Sequence, residues 1–396
     1  MSQGDLQLLH TLRFRMAEQQ GLAITGLGWS ASGSVIAVAY GRVDKGGWEA
    51  ERSFLCTWNL HRPRMDPDSP DLTLEAPGSL TCLAYHPEKS TIVAAGACNG
   101  GVYVWETNRD GDMLAGQSCG QSDGHEEPVY QVSWVREGGS ASQSWLLITA
   151  GTDGRVLLWR FTTRGLELQR GLMLLGRDLP GIKSSKVGPP STRLGDLPVG
   201  ITALSFLSED PSMFIAGTEG GHVLKCSLKG GPPVLAPGPP SSVLLRAPAL
   251  LAYDPLRGPV YAAHCSPFHR NIVLCAGADP DLRVYSLLQP RPLCRFPCPS
   301  YVFSAAWSPV RPLLCVAATA QGQLISLQST LPILRIRGCT EGLALYQLSW
   351  SPRDGQLLAT GGAAGRVSVW NVLGSLAESG GRAAMAELDH LAAESN

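Results

Sequence analysis

The sequence predicts an all-β fold, a β-propeller of seven blades, on three observations. One strand pattern recurs seven times along the chain. The joints of that pattern carry Gly, Asn or Asp where a tight hairpin needs them. The composition suits short strands linked by turns, with 45 Gly and 29 Pro in 396 residues and only 16% charged residues, a balance that disfavours long solvated helices.

Each copy reads as a short alternating strand that often ends in an aromatic residue and a Ser-Pro turn. A strand of small apolar residues follows, then a Gly-containing hairpin and a β-branched strand ending in Trp or a substitute. The copies occupy residues 24–60, 80–107, 129–160, 201–228, 260–287, 302–329 and 345–372. Trp58, Trp105, Trp159 and Trp370 close four of them, and Cys226, Tyr285 and Leu327 take the same place in the others. Repeats of roughly 40–45 residues, with three visible strands and a more variable fourth, are the signature of WD40 propeller blades.

The joints have a physical reading. Asn99-Gly100, Asp153-Gly154 and Glu219-Gly220 lie between apolar strands, where positive φ is required and these residue types tolerate it at least cost. Small residues such as Ala94, Ala95, Gly96, Ala276 and Gly277 suit strands that taper toward an axis. An open ring would leave edge strands unpaired. Residues 6–14 (LQLLHTLRF), within an N-terminal segment 1–23, therefore read as a strand that closes the ring by completing the last blade. The propeller spans 24–372. The Ala- and Glu-rich tail 373–396 reads as a short helix or a disordered segment. Residues 108–128, 161–200 and 229–259 read as surface loops, the middle one carrying Arg177, Lys183, Lys186 and Arg193.

Charge and composition exclude several classes of function. Thirty-two basic residues against 33 acidic ones provide no global field for phosphate backbones, so nucleic acid is not an expected partner. No run approaches the roughly 18 apolar residues of a membrane span, and the N-terminus lacks a long apolar signal core, so membrane insertion is not expected and the cytosol is. Eleven cysteines, an odd number scattered through apolar stretches, read as reduced thiols. Cys294 and Cys298 lack a second ligand pair for zinc. No cofactor or metal is expected.

Catalytic motifs are absent or misplaced. Gly116-Gln117-Ser118-Cys119-Gly120 matches G-x-S-x-G but lies between two all-β repeats, without the strand-to-helix turn of a nucleophile elbow. There is no Gly-Lys dipeptide for a phosphate loop, and His125 is followed by Glu126-Glu127-Pro128, so no H-E-x-x-H occurs. His125 reads instead as a structural residue that bonds toward the Trp159 strand. Asp153 in the neighbouring hairpin and Trp58, Trp105, Trp159 and Trp370 belong to the same structural set. The first strands offer Gln131, Ser133, His264 and Ser304, too thin a set for catalysis; no enzyme is expected. One constellation stands out as a candidate partner contact. The second residue of the first strand is aromatic in four copies, at Tyr130, Tyr261, Phe303 and Tyr346. Ring symmetry sets these at similar height near the channel, where they either pack between blades or form a binding rim.

Particular strings carry a resemblance. AYGRVDKGGW (39–48), SFLCTWNL (53–60), GTEGGHVLKCSL (217–228), HCSPFHRNIVLCAGAD (264–279) and WSPVRPL (307–313) resemble the WD-repeat intermediate chains of cytoplasmic dynein 2, the motor of retrograde intraflagellar transport. Asn99-Gly100 with Val104-Trp105 is similar to a hairpin common among dynein intermediate chains. The likeness runs from about residue 10 to LDHLAAE near the C-terminus and is greatest to the smaller of the two intermediate chains. It implies a non-catalytic propeller that docks on the dynein 2 heavy-chain tail, pairs with a second, different intermediate chain, and supports cilium assembly. It also implies a place in the cytoplasm and cytoskeleton, at the ciliary axoneme and the basal body or centrosome. In that family a long N-terminal extension recruits light chains. Only about 20 residues precede the first repeat here, which puts light-chain binding in doubt and fits either a short isoform or an incompletely predicted sequence.

Within the most distinctive string, Phe268, His269 and Arg270 are candidate heavy-chain contacts, or they shape a turn between two strands. The competing reading is a substrate receptor of a cullin ubiquitin ligase. It would need a W-D-x-R motif, and the chain has Trp58-Asn59-Leu60-His61 and Trp105-Glu106-Thr107-Asn108.

Overall fold

A computed structural model of the chain describes residues 6–42, 53–118, 124–138, 144–180, 195, 197–234, 242–321, 324–327, 334–336, 342–373 and 381–393. Among these residues the strands form seven sheets. In chain order, their first strands are Ala23–Trp29, Leu80–Tyr85, Val129–Arg136, Ile201–Phe206, Val260–Cys265, Val302–Trp307 and Leu345–Trp350. They define the first to seventh sheets. Each sheet continues as an antiparallel meander, and six of them take their fourth strand from the chain that follows. The seventh takes its fourth from the N-terminus. Leu6–Arg13 pairs antiparallel with Arg366–Val372, Leu6 opposite Val372 and Arg13 opposite Arg366, with a bulge between Leu8 and His10.

The repeat register is the same in every sheet. Trp58, Trp105, Trp159 and Trp370 stand opposite Ile36, Val93, Leu147 and Leu358. Cys226, Tyr285 and Leu327 stand opposite Phe214, Val273 and Cys315.

Two expectations about the joints need correction. The left-handed residues are Gly100 (φ 77°) and Gly154 (φ 73°), but in the third hairpin Gly221 (φ 86°) takes the role, not Gly220. That hairpin turns on Gly220-Gly221. A Cβ at Gly100 would stand 2.3 Å from the His125 carbonyl oxygen, so both the dihedral and the space demand glycine there. The three stretches read as loops are also not loops throughout. They contain the strands Leu114–Gln117, Gly165–Met173 and Ala249–Tyr253. These outer strands are only partly buried, and an edge strand need not show clean alternation. One insertion also adds Leu245–Arg246 in parallel to Gly171–Leu172 at the edge of the third sheet.

The core is divided among the junctions between sheets. Ala39, Leu55, Val93 and Tyr103 pack between the first and second sheets, and Val104, Val132 and Trp159 between the second and third. Ile148, Leu158, Phe214 and Leu224 fill the next junction, and Ile215, Val273 and Tyr285 the one after. Leu274, Val302 and Trp307 join the fifth sheet to the sixth, and Val316, Leu348 and Leu358 the sixth to the seventh. Leu12, Ile24, Trp58, Val367 and Val369 pack between the seventh and the first. The first strands touch one another in the same order, and the seventh touches the first. The fold is therefore a β-propeller, a closed ring around a channel lined by first strands.

Two helices dress the ring. Helix α1 (Arg15–Gln20) ends at Gly21, which is left-handed at φ 65°. The preceding Phe14 packs against Tyr40 and Phe54, with ring centroids 5.7 and 5.4 Å apart. Helix α2 (Gly381–Ala393) lays Leu388 and Ala392 into the core cluster of the fifth and sixth sheets. No helix among the described residues is long and apolar enough to cross a membrane. The nine cysteines among them are free thiols.

Candidate functional site: the channel mouth

All seven first strands break register at the same place. The slips fall between Ile24 and Gly26, Leu80 and Cys82, Val129 and Gln131, Ile201 and Ala203, Val260 and Ala262, Val302 and Ser304, and Leu345 and Gln347. A bulge leaves one residue unpaired and re-aims its side chain. The residues so released are Thr25, Thr81, Tyr130, Thr202, Tyr261, Phe303 and Tyr346. All seven line one cavity of about 470 Å³, together with Ile24, Arg42, Cys98, Gln131, Thr152, Glu219, Pro259 and Gln347. The four aromatic candidates are thus brought to one mouth, and three threonines share their position.

These residues tie neighbouring sheets together in two ways. Thr25 Oγ1 donates to the Leu80 carbonyl at 2.6 Å, Thr81 Oγ1 donates to the Val129 carbonyl, and Thr202 Oγ1 donates to the Val260 carbonyl at 2.5 Å. Where an aromatic replaces threonine, the next residue can serve. Gln131 Nε2 donates to the Thr202 carbonyl at 2.8 Å, and Gln347 Nε2 to the Thr25 carbonyl at 2.9 Å. The remaining two junctions are bridged by rings. Tyr261 and Phe303 lie 5.3 Å apart, tilted by 37°, and Phe303 meets Tyr346 edge to face at 5.0 Å. Three of the four aromatics therefore pack between sheets while keeping part of their surface open to the mouth. Tyr130 is 42% exposed and takes no part in these ring contacts.

The far end of the first strands is tied in its own way. The indole N–H groups of Trp29, Trp134 and Trp307 donate to the carbonyls of Ser349, Ala84 and His264 in the adjoining sheet, at 3.0, 3.3 and 3.1 Å. His264 is partly buried, and desolvation lowers its pKa to about 4. Its neutral imidazole accepts the Trp307 backbone N–H at Nδ1, 3.1 Å away. It is spent on structure.

The mouth favours hydrogen-bond acceptors. Burial raises the phenols of Tyr130 and Tyr261, and the nearby Cys98, Tyr261, Cys82 and Glu219 push Tyr130 further up, as Tyr301 does Tyr261. Both phenols are neutral near pH 7. Glu219 receives the Gly200 N–H at 3.4 Å and forms no ion pair among the described residues.

The structural set forms a relay in the third sheet. His125 Nδ1 meets the Asp153 carboxylate at 3.0 Å, and His125 Nε2 meets Thr149 Oγ1 at 2.8 Å. Trp159 Nε1 donates to the same hydroxyl at 2.9 Å. All four residues are buried. Among the described residues the seventh sheet keeps only the last link, Trp370 Nε1 to Thr360 Oγ1 at 3.0 Å. Trp58 is fully buried, yet its Nε1 has no acceptor among the described residues.

The segment Phe268, His269 and Arg270 lies away from the mouth. Ser266 Oγ accepts the backbone N–H groups of Phe268 and His269 at 3.2 Å each, forming a turn. Ser308 does the same for Val310 and Arg311, so the turn belongs to the repeat. Phe268 packs in the cluster that receives Leu388 and Ala392 of α2, and His269 Nε2 lies 3.8 Å from Asp389 of that helix. The exposed Arg270 lies 3.9 Å from Glu209. The chain's own helix thus covers part of this candidate contact.

Sequence reasoning missed the threonine and glutamine ties and the docking of α2. A Thr or an aromatic followed by Gln at the second and third strand positions was the available signal for the ties. Among the described residues no group of His, Cys, Asp and Glu could hold a metal ion. Ser118 Oγ accepts the Val102 N–H at 2.9 Å; Cys119 and Gly120 lie outside the described residues.

The WD domain, G-beta repeat family model matches residues 69–106 and 116–160. Cytoplasmic dynein 2 intermediate chain 2 of Mus musculus is 42% identical over 398 residues, covering 99% of this chain and 73% of that protein. The Homo sapiens protein of the same name is 42% identical over 392 residues, covering 98% and 72%. Dynein axonemal intermediate chain 4 of Rattus norvegicus is 25% identical over 364 residues, covering 89% of this chain and 42% of its own length.

Proposed function

The chain belongs to the family of cytoplasmic dynein 2 intermediate chains, and on that premise we propose that it is a non-catalytic subunit of the dynein 2 motor. In this reading it docks on the heavy-chain tail beside a second, different intermediate chain. It serves retrograde intraflagellar transport and cilium assembly, at the axoneme and basal body as well as in the cytoplasm. The observation that carries the reading is 42% identity over nearly the whole chain to relatives of that name. We take each of the seven sheets as one blade, a count supported by the seven junctions that close the ring. A rigid ring with an aromatic mouth suits a scaffold, because aromatic side chains are favoured at the centre of protein interfaces.

The test is affinity purification of the tagged chain from ciliated cells, with mass spectrometry of what co-purifies. Dynein 2 heavy chain and a second intermediate chain are the expected result. Cullin adaptors without any dynein subunit would overturn it.

A further inference from the structure

The chemistry of the channel mouth is lopsided. The hydroxyl protons of Thr25, Thr81 and Thr202 are committed to main-chain carbonyls, so their oxygens are left as acceptors. The side-chain amides of Gln131 and Gln347 each spend an N–H on a carbonyl of the next sheet, which fixes the amide orientation and leaves each Oε1 to accept. Glu219 adds a carboxylate with no ion pair among the described residues. Beside these acceptors stand Tyr130, 42% exposed, and the Tyr261 and Phe303 rings, 5.3 Å apart. Arg42 lines the same cavity from the first sheet, three sheets round the ring from Glu219. It biases the opposite side against a cation.

We propose that the Tyr130, Glu219 and Tyr261 side of this mouth binds an arginine side chain presented by a partner protein. A guanidinium has five N–H donors and no acceptor, which complements a wall of oxygens. It is planar, weakly hydrated and stacks on aromatic faces. A lysine ammonium is a compact, strongly hydrated charge and gains less from the rings. An anionic group on this side would meet the Glu219 carboxylate. The cavity, at about 470 Å³, falls in the range of roughly 300–1,000 Å³ typical of ligand sites. The proposal names the chemistry by which an intermediate chain would grip a partner, and it rests on the intermediate-chain reading only for the partner's identity.

The test uses the full chain and capped Gly-Arg-Gly, followed by saturation-transfer NMR and titration. Its counterparts carry lysine or citrulline, the latter matching arginine in shape without its charge. Saturable binding of the arginine peptide is expected, with at least tenfold weaker binding of citrulline and a smaller loss for lysine. Glu219→Gln should weaken arginine binding at least fivefold at an unchanged melting temperature, and Tyr130→Ala should weaken it in a side chain that bridges no sheets. Equal binding of arginine and citrulline, no saturable binding, or indifference to both variants would overturn the proposal. Arginine binding that survives while purification recovers no dynein subunit would overturn the intermediate-chain reading alone.

Discussion

The side-chain amide of Gln347 donates to the main-chain carbonyl of Thr25 at 2.9 Å, joining the first strand of the seventh sheet to that of the first. It works alongside the pairing of Leu6–Arg13 with Arg366–Val372, so the closure holds at the inner and outer rims. Gln347→Leu leaves the Thr25 carbonyl without this donor and should cost about 1–3 kcal/mol. Urea unfolding reads this as a lower midpoint at unchanged slope. Deleting residues 1–15 removes the whole outer strand and should lower the melting temperature far more; an unchanged melting point would refute the closing role of that strand.

Val38 stands in the first sheet where Thr149 and Thr360 stand in the third and seventh, two residues beyond the partner of the closing Trp. Those threonines accept the Trp159 and Trp370 indole N–H groups, whereas Trp58 lacks an acceptor among the described residues. Val38→Thr, close in shape, should supply one and raise stability by about 1 kcal/mol. Destabilisation in thermal melts would show that burying the hydroxyl outweighs the new bond.

Asp153 ties this architecture to pH. Burial works to raise its carboxyl, but the His125 imidazole, the Arg155 backbone N–H and the Arg155 guanidinium together outweigh it and hold the pKa below the ordinary 3.8. A folded-state pKa below the unfolded one favours folding above the ordinary carboxylate value, and that contribution is lost as pH falls through the lower folded value. Stability should therefore decline below about pH 4. Asp153→Asn should be less stable at pH 7 and show a shallower acid decline. Equal acid slopes in denaturation series from pH 7 to pH 2 would remove Asp153 from the cause.

Phe303 makes two ring contacts and Tyr130 makes neither. With about 0.5–1.5 kcal/mol for each aromatic pair, Phe303→Ala should cost about 1–3 kcal/mol beyond its lost burial. Tyr130→Ala should stay within about 0.5 kcal/mol, as for an exposed side chain. Losing Tyr261 and Tyr346 together should lower stability rather than weaken partner binding alone. A double variant with unchanged unfolding would restore the rim-only view of these residues.

Leu388, 1% exposed, anchors α2 against the cluster containing Phe268. Leu388→Asp puts a charge into that cluster and should release the helix. Hydrogen exchange should then speed up across residues 384–393 and 268–271, with the other sheets protected as before. Unchanged exchange at 268–271 would mean that α2 does not shield the turn.

The structural relay was legible only in part: His125, Asp153 and Trp159 occupy repeat positions of one copy, whereas Thr149, which joins His125 to Trp159, was not among the residues read from it. The mouth was only half legible. Tyr130, Tyr261, Phe303 and Tyr346 could be aligned by counting along their strands, but Gln131 and Gln347 bond to residues in other sheets, 71 and 322 positions away. Strand position marks the donors of these ties but not the residue that each one reaches. Phe268 read as a candidate contact or a turn residue because the helix residues of the cluster it packs against, Leu388 and Ala392, lie more than a hundred positions further on.

By itself the sequence determined the repeat, the glycine hairpins at Gly100 and Gly154 and the family, since each depends on residues close together in the chain or on strings compared whole. Tertiary structure decided which aromatics bridge sheets and which one stays exposed, where the mouth turns acceptor-rich, and what α2 covers. Those depend on the ring bringing distant strands within hydrogen-bond and ring-contact distance, a geometry set by closure rather than by any one repeat.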